Sequence, residues 1–379
     1  MTAHLEEITI RGYKSIRELQ SFKLQPGLNV LIGANGSGKT NFIRFFELLG
    51  NIFDPNKGLQ NYVRKSGGAD ALLFRGMKVT PELSAELKFE LVDYPFTPVP
   101  RCSYQLFLES PATHTSLFFA DEIVSSEAVP SGLHKKSSLG RGHVESMLAN
   151  PGEPENLTVC QKLVRATIER WRVHHFHDTT ASAKVMGLCN IVDHEVLHGD
   201  AGNVAAFLMR MEQAHPAHFA RIVEVVRQVA PFFGAFHLRE LNPGQTQLLW
   251  RDRYSDLLFY PHQLSDGTLR FICLATLLLQ PAPLTRDTLV IDEPELGLHP
   301  FAIKLLASLL QEAAQKLQLI VSTQSSLLLD ELSPEQVIVV NHHDGESTFE
   351  RQDPAKLAAW LQEYTLGQLW EKNELGGLP

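Results

Sequence analysis

The sequence feature that most limits what this chain can fold into is a glycine-rich loop at residues 33–40. It reads Gly-Ala-Asn-Gly-Ser-Gly-Lys-Thr, which fits the spacing G-x-x-x-x-G-K-[ST]. An apolar run at residues 28–32 precedes the loop, and residues 41–49 continue with helical spacing. Strand, loop and helix in this order are the context that the motif requires, and they disfavour a glycine-rich turn that matches by chance. The sequence therefore predicts a phosphate-binding loop in an α/β protein.

The chemistry of phosphate binding explains the residues of this loop. Glycines allow successive backbone N–H groups to converge on phosphate oxygens, and the helix N-terminus adds a favourable dipole. Lys39 can reach the β- and γ-phosphates and is a candidate catalytic residue, while the Thr40 hydroxyl can ligate Mg²⁺. The residues predicted to bind the nucleotide here are Gly33, Asn35, Gly36, Ser37, Gly38, Lys39 and Thr40.

Chain length and charge limit the number of domains and the kinds of partner that the chain can have. The chain has 379 residues, of which 44% are hydrophobic and 20% charged, enough for a large core or for several domains. The formal net charge of -9 gives no general attraction to nucleic acid. Local basic stretches at Arg64, Lys65 and residues 134–143 are either contacts for DNA or solvated loops.

Cysteine usage and hydropathy indicate a cytoplasmic protein. The four cysteines lack C-x-x-C spacing, which argues against a zinc ribbon or a disulfide scaffold and suits a reducing compartment. Glu6 and Glu7 stand where a signal peptide would be apolar. The longest apolar run, residues 271–279, is too short to span a bilayer, so we expect no membrane association.

Hydrophobic periodicity predicts a parallel sheet flanked by helices. Continuous apolar runs, typical of strands buried on both faces, alternate with helical patterns in the second half of the chain. Alternating patterns in the first third predict antiparallel strands, and the polar stretch 125–156 predicts a flexible loop or insertion. The predicted buried strands are 28–32, 288–291, 319–322 and 336–340. The predicted helices are 158–170, 203–230, 268–279 and 300–316, and the other predicted strands are 5–11, 84–92, 103–109, 115–120 and 245–251.

Two adjacent carboxylates end the apolar strand at 288–291. Asp292 would lie beside the glycine loop and hold Mg²⁺ through water, and Glu293 would activate the water that attacks the γ-phosphate. The pair is a weak signal alone. Its position after the glycine loop, in the expected order, makes it a specific signal for ATP hydrolysis.

A second potential anion site begins a helix within residues 263–270. Ser265 and Gly267 place a hydroxyl and a glycine at a helix N-terminus, where phosphate can bind. One nucleotide does not need two phosphate cradles, so the economical interpretation is that these residues close over ATP bound by a second copy. The alternative is an ordinary helix with Ser265 as its N-cap.

Together these segments resemble an ABC-type ATPase of the RecF/SMC/OLD-like branch. The resemblance extends from end to end, and part of it is to short bacterial RecF-like predicted ATPases of the AAA family. The segments similar to the branch are 10–15, 33–40, 264–267, 292–293 and 294–300. The segments similar to the short bacterial ATPases are 176–179, 321–325 and 370–377.

The resemblance implies a P-loop NTPase of the ABC-ATPase head type, with a mostly parallel core sheet, an antiparallel subdomain and a helical lobe. It implies ATP and Mg²⁺ as cofactors and a homodimer that forms on ATP binding. The implied function is an ATP-hydrolysing dimeric switch in DNA repair or anti-phage defence. The alternative is a nucleotide-gated subunit that controls a separately encoded effector without binding DNA. A transporter subunit fits the 294–300 segment less well.

Gln324 departs from the pattern of this branch. Many relatives carry a switch histidine after this core strand, whereas glutamine can hydrogen-bond a phosphate or a water but carries no charge. Gln324 is therefore a candidate catalytic residue, and we expect slow hydrolysis. Fewer than 40 residues follow the last predicted strand, so we expect no Toprim nuclease domain in this chain.

Three further features concern possible sites and domain organisation. Two histidine-rich groups could bind a metal or form polar turns near the core, and an apolar stripe near the C-terminus could dock a partner or pack in the core. One histidine-rich group comprises His174, His175, His177 and Asp178, and the other comprises Asp193, His194, His198 and Asp200. The stripe comprises Trp360, Leu361, Tyr364, Leu366, Leu369 and Trp370.

The predicted regions are a nucleotide-binding lobe in two parts (1–95 and 280–345), an inserted region (96–202), a helical lobe with the signature (203–279) and a C-terminal tail (346–379).

Overall fold

The computed structural model describes residues 2–92, 99–111, 116–129, 133–152, 154–281, 284 and 288–377. These residues form one mostly parallel and one antiparallel six-stranded sheet, with two smaller sheets and ten α-helices. The strands are β1 (Thr2–Tyr13), β2 (Ile16–Lys23), β3 (Leu28–Ile32), β4 (Glu82–Val92), β5 (Val99–Glu109), β6 (Phe118–Val129), β7 (Leu133–Gly140), β8 (Val173–His174), β9 (Cys189–Asn190), β10 (Phe233–Phe236), β11 (Gln245–Thr246), β12 (Trp250–Asp252), β13 (Leu258–Phe259), β14 (Thr288–Asp292), β15 (Gln318–Thr323), β16 (Val337–His343) and β17 (Glu346–Arg351). The α-helices are α1 (Lys39–Ile52), α2 (Gly58–Lys65), α3 (Val159–Glu169), α4 (Val204–Ala214), α5 (Pro216–Val229), α6 (Asp266–Leu278), α7 (Pro300–Ala314), α8 (Ser326–Leu329), α9 (Pro354–Leu357) and α10 (Leu366–Glu371).

The mostly parallel sheet brings the predicted site segments to one edge. Its strand order is β17-β16-β3-β15-β14-β8; β17 runs antiparallel to β16, and the other pairs are parallel. In register, Ile32 at the end of β3 lies beside Thr323, and Ser322 lies beside Asp292 at the end of β14. The carboxyl ends of β3, β14 and β15 therefore meet, at the edge where ligands bind in open α/β sheets.

Both faces of this sheet are apolar because each packs against a different layer. In the central strand β3, Leu31 belongs to the hydrophobic cluster shared with α1 and the antiparallel sheet. Its neighbours Val30 and Ile32 belong to the cluster shared with α4 to α7. Continuous apolar sequence is the pattern expected of strands covered on both sides, and it is the reason why these strands could be predicted.

The antiparallel sheet has the order β2-β1-β4-β5-β6-β7 and supports the nucleotide lobe from one side. The turn between β1 and β2 reaches the start of α1, where Asn41 Nδ2 donates to Ser15 Oγ at 2.7 Å. The boundary predicted at residue 95 falls between β4 and β5, which are neighbours in this sheet. The division of the chain into five regions stays a prediction.

The fold class predicted from the sequence is confirmed, but the helix predicted at 203–230 is two helices. α4 ends at Ala214 and α5 begins at Pro216, with His215 between them. Proline lacks the N–H that a continuing helix needs and restricts the backbone of the preceding residue. At the first position of a new helix neither property is harmful.

The flexible loop predicted at 125–156 is wrong in its first part. β6 extends to Val129 and pairs with β7, so the antiparallel sheet continues to Gly140. Residues 130–132 and 153 lie outside the described residues. β7 is an edge strand, and its residues 135–138 are polar and mostly exposed, which hides the alternation that identifies a half-buried strand.

A disulfide joins Cys102 of β5 to Cys160 of α3, at a separation of 58 residues. The cysteine spacing, which argued against a disulfide scaffold, gave no indication of this single bond. Both cysteines are buried where α3 packs on the antiparallel sheet, so tertiary packing rather than local spacing brings the two thiols together.

The apolar stripe near the C-terminus is mainly core. Leu366, Leu369 and Trp370 are buried, whereas Trp360 is exposed over 46% of its surface. Among the described helices, none is both long enough and apolar enough to pass through a membrane.

Candidate functional site

The glycine loop follows β3 and ends at the first turn of α1. Gly36 and Gly38 have φ values of +80° and +111°, a left-handed conformation that side chains disfavour. A Cβ on Gly33 would collide with the carbonyl oxygen of Val340 in β16, and a Cβ on Gly38 would collide with the Ser347 hydroxyl in β17. Glycine at these positions therefore lets the loop turn tightly and pack against the neighbouring strands. Asn35 and Gly36 are exposed, and Ser37 is buried.

Lys39 is folded back onto this loop. Only 4% of the residue is exposed, and its Nζ donates to the carbonyl oxygens of Gly33 at 2.6 Å and Ala34 at 3.0 Å. Burial lowers the pKa of the Lys39 ammonium, while nearby carboxylates act in the opposite direction. An ammonium facing several acids is the arrangement expected where a lysine and a metal-binding carboxylate share one phosphate site. The opposing charges are those of Glu293, Asp292 and Glu295.

Thr40 and Asp292 are the predicted Mg²⁺ residues. Thr40 is exposed at the start of α1, and Asp292 is partly exposed at the end of β14. The Ser322 hydroxyl donates to Asp292 Oδ1, and His177 Nε2 lies 3.0 Å from the Asp292 carbonyl oxygen. A hydroxyl and a carboxylate are the hard oxygen donors that Mg²⁺ prefers, so these two residues fit the ion.

Glu293 has a strained backbone and a defined partner. Its φ of +44° is left-handed, which is uncommon for a residue with a side chain and concentrates at functional sites. Its N–H donates to the Ser322 carbonyl oxygen at 3.0 Å, which holds the turn. Its carboxylate Oε1 accepts a hydrogen bond from Gln324 Nε2. The structure therefore places Lys39, Asp292, Glu293 and Gln324 near one another, and their roles toward a nucleotide stay predictions.

Glu295 is a site residue for which the sequence analysis predicted no role. It is 8% exposed, and its Oε1 accepts the backbone N–H of Gln324 at 2.9 Å. Burial raises the pKa of the Glu295 carboxyl, partly offset by a hydrogen bond from the Thr323 hydroxyl. The signal in the sequence was an acidic residue two positions after Glu293 within an otherwise apolar and glycine-containing stretch.

Ser265 and Gly267 lie at the N-terminus of α6. Ser265 is exposed and is the N-cap, because its Oγ accepts the Thr268 N–H at 3.2 Å. A Cβ on Gly267 would collide with the carbonyl oxygen of Gly297, so the α6 N-terminus packs directly on the segment after β14. Arg270 strengthens this contact by donating from Nη1 to the Leu296 carbonyl oxygen at 2.9 Å. The N-cap alternative thus describes the local contacts, and a role toward a second copy stays a prediction.

Segments far along the chain hold the glycine loop in place. Ser347 Oγ lies 2.7 Å from both the Ser37 carbonyl oxygen and Ser15 Oγ. The Ala34 N–H donates to the carbonyl oxygen of Gly377, whose own N–H donates to Asn341 Oδ1 at 2.7 Å. The sequence analysis assigned no role to these contacts, because no local pattern records a pairing across more than 300 residues.

The histidine-rich groups do not form a metal centre. Among the described residues, no group of three or more histidine, cysteine or acidic side chains could hold a metal ion. His177 contacts the Asp292 backbone, and His198 lies 3.2 Å from Asp193. The interpretation of these groups as polar turns fits these contacts.

Geometry and fold define a P-loop nucleotide-binding head with paired carboxylates at the end of the neighbouring strand. Two family models match the sequence. Residues 162–330 match the model described as an AAA domain, putative AbiEii toxin, Type IV TA system, and residues 7–94 match a second AAA domain model. No curated protein gives a significant match.

Solved structures of SMC heads have the same fold. The SmcHead bound to the C-winged helix domain of ScpA is 17% identical, with a TM-score of 0.60 over 94% of this chain and 99% of that one. The Pyrococcus furiosus Smc head with an extended coiled coil, bound to the C-terminal domain of ScpA, is 15% identical, with a TM-score of 0.53 over 95% and 99%. The Pyrococcus yayanosii Smc head with a coiled coil and joint is 13% identical, with a TM-score of 0.51 over 95% and 99%. The chain therefore has the fold of SMC ATPase heads, and two parts of its sequence match AAA-domain models.

Proposed function

We propose that this protein binds ATP with Mg²⁺ in the glycine loop and hydrolyses it slowly. The observation that carries the proposal is the meeting of Lys39, Asp292 and Glu293 at the carboxyl edge of one sheet. Each supplies a different requirement of phosphoryl transfer: a cation for the phosphates, a metal ligand and a base for water. Few other reactions need these three groups around a glycine loop.

In this mechanism Glu293 accepts the proton of the attacking water. Gln324, which donates to the Glu293 carboxylate, keeps that carboxylate oriented and offers a second polar group for the water or the γ-phosphate. Lys39 exchanges its two carbonyl partners for phosphate oxygens when the nucleotide enters. Mg²⁺, when bound by Thr40 and Asp292, neutralises charge on the phosphates.

The dimer is the next part of the proposal. Ser265 is exposed at a helix N-terminus, where it could contact the γ-phosphate held by a second copy. Two copies arranged head to tail would then enclose two ATP molecules between them. Hydrolysis of the ATP would allow the two copies to separate. ATP would thus act as a switch for association rather than as a fuel for chemistry on another substrate.

The pathway served by this switch is either DNA repair or anti-phage defence. The description of the family model that matches residues 162–330, which names a putative toxin of a type IV TA system, favours defence. The alternative, a nucleotide-gated subunit that controls a separate effector in the cytoplasm, is favoured by the net charge of -9. It is also favoured by the SMC heads that were solved with a bound domain of ScpA.

Calorimetry and molar-mass measurements test these proposals in order. Mg-ATP is titrated into wild type and into Lys39→Ala, with Lys316→Ala as the control because Lys316 is an exposed lysine on the surface. We expect heat of binding in wild type and in the control and none in Lys39→Ala. Absence of heat in wild type would remove the nucleotide proposal.

The dimer is tested in a Glu293→Gln variant, which should bind ATP without hydrolysing it. Its molar mass is measured with and without Mg-ATP and with duplex DNA, beside a Glu312→Gln control at an exposed position. We expect doubling of the mass with ATP in Glu293→Gln. A monomer under every condition contradicts the dimer. A mass increase with DNA favours a switch that acts on DNA over a subunit that controls an effector without binding DNA.

A further inference from the structure

We propose that Glu295 is a positioning residue: it holds the backbone of Gln324 so that the Gln324 amide reaches Glu293. The inference rests on the proposed ATPase function and adds a residue to its hydrolysis site. Glu295 touches neither the nucleotide nor the water in this proposal and acts through Gln324.

The contacts of Gln324 carry the inference. Its backbone N–H donates to Glu295 Oε1 at 2.9 Å, and its side-chain Nε2 donates to Glu293 Oε1. Two carboxylates from one turn after β14 therefore hold the two ends of a single residue after β15. Without the first contact, the Gln324 backbone could rotate and carry its amide away from the base.

The surroundings of Glu295 restrict the movement of its carboxyl and so stabilise the hydrogen bond with the Gln324 N–H. The side chain is almost fully enclosed, and the Thr323 hydroxyl is a second donor to its carboxyl. Thr323 Oγ1 in turn accepts the Ser325 N–H at 3.1 Å, and Ser325 caps α8. The donors that other residues supply to the Glu295 carboxyl thus come from the segment that carries Gln324, and Ser325 fixes the far side of that segment by capping α8.

An enclosed carboxyl has an energetic cost unless hydrogen bonds satisfy it. Glu295 Oε2 has no hydrogen-bond partner in the part of the chain that the structure describes. An alanine or a leucine at this position would avoid that cost but would leave the Gln324 N–H without its acceptor. The carboxyl is therefore better explained by its hold on Gln324 than by a contribution to the core.

Two substitutions separate positioning from structure. Glu295→Ala removes the acceptor, whereas Glu295→Gln keeps a carbonyl oxygen for the Gln324 N–H and removes only the charge. For ATP hydrolysis we expect kcat to fall roughly tenfold in Glu295→Ala with KM unchanged, and to stay within about threefold of wild type in Glu295→Gln. A purely structural role would lower the melting temperature and leave kcat per folded molecule unchanged.

A double variant tests whether Glu295 acts through Gln324. In a Gln324→Ala background, adding Glu295→Ala should cause no further loss of kcat, because the amide to be positioned is already gone. A further loss of the same size would overturn the proposal. If Glu295→Ala does not fold, a Glu295→Gln variant as impaired as Gln324→Ala would overturn it equally.

The failure of this inference is distinguishable from failure of the proposed function. Wild type without any ATP turnover would remove both. Wild-type turnover together with an unchanged kcat in Glu295→Ala would remove the positioning role alone and leave the assignment of Glu293 intact.

Discussion

Gln324 donates its side-chain amide to Oε1 of Glu293, so the residue after β15 and the residue after β14 are hydrogen-bonded partners. The proposed general base thus accepts a hydrogen bond from a neutral donor at the position where the family resemblance implies a histidine. A neutral amide can orient the base but cannot add positive charge to the developing transition state.

The first prediction concerns this neutral donor. Gln324→His should raise kcat for ATP hydrolysis several-fold, because a protonated imidazole stabilises negative charge on the transferred phosphoryl group. Gln324→Ala should lower kcat by roughly tenfold, because Glu293 loses its orienting partner. Gln315→His, at the exposed end of α7, is the matched control and should leave the rate unchanged. Equal rates in all three variants would contradict a role for residue 324.

The second prediction concerns Arg270, which ties α6 to two other segments. Its Nη1 donates to the Leu296 carbonyl oxygen at 2.9 Å, and its Nη2 donates to the His177 carbonyl oxygen at 2.8 Å. Arg270→Ala would leave these carbonyls unpaired, so the free energy of unfolding should fall by about 1–3 kcal/mol. Urea unfolding measures this difference.

A matched control for Arg270→Ala is Arg221→Ala. Arg221 lies on α5 and pairs with Glu224 on the exposed surface. Loss of such a surface pair should change the free energy of unfolding by no more than about 0.5 kcal/mol. Similar effects of the two substitutions would show that the Arg270 contacts add little to the joining of α6 and the segment after β14.

The site residues that belong to short sequence motifs could be predicted from the sequence. Lys39, Asp292 and Glu293 stand in local patterns whose residue types follow from phosphate and metal chemistry, and the buried strands that align them are continuous apolar runs. The contact between Glu295 and the Gln324 backbone could not be predicted in this way, because the donor is a backbone N–H, which every residue except proline carries.

Three errors in the fold have physical causes. Pro216 allowed the helical periodicity to continue on both sides while ending one helix and starting another. β7 is polar because it lies at a sheet edge, so its pairing with β6 was visible only in the tertiary structure. The disulfide of Cys102 was missed for the same reason, since its partner is set by packing.

The third prediction concerns the contact of the C-terminal segment with the glycine loop. Gly377 has a φ of +86° and accepts the Ala34 N–H, and a Cβ there would approach a methyl of Val339 to 3.0 Å. Gly377→Ala should therefore loosen this segment at a cost of about 1 kcal/mol or more. We expect faster hydrogen exchange of residues 33–40 and weaker binding of Mg-ATP.

The control for Gly377→Ala is Gly152→Ala. Gly152 is exposed, and a Cβ added there would meet nothing within 4 Å. This variant should keep both the exchange rates and the nucleotide affinity of wild type. Unchanged exchange of the glycine loop in Gly377→Ala would mean that the C-terminal segment does not brace it.

The last prediction is a pH dependence of stability from an ion pair between β1 and β4. Glu7 and Lys88 are cross-strand partners, and Lys88 Nζ donates to Glu7 Oε1 at 2.7 Å. This hydrogen bond lowers the pKa of Glu7 below its usual 4.5 and raises the pKa of Lys88 above its usual 10.5. The Glu7 contribution to stability is present above pH 4.5 and is lost as the pH falls through the lower pKa that Glu7 has in the folded state. The Lys88 contribution is lost only as the pH rises through the higher pKa that Lys88 has in the folded state.

Because the lysine is partly exposed, Lys88→Met should reduce the free energy of unfolding by about 0.5 kcal/mol between these two pKa values and by nothing in stronger acid. Urea unfolding across this range, with exposed Lys78→Met as the control, measures the difference, and a loss that does not change with pH would contradict the ion pair as its cause.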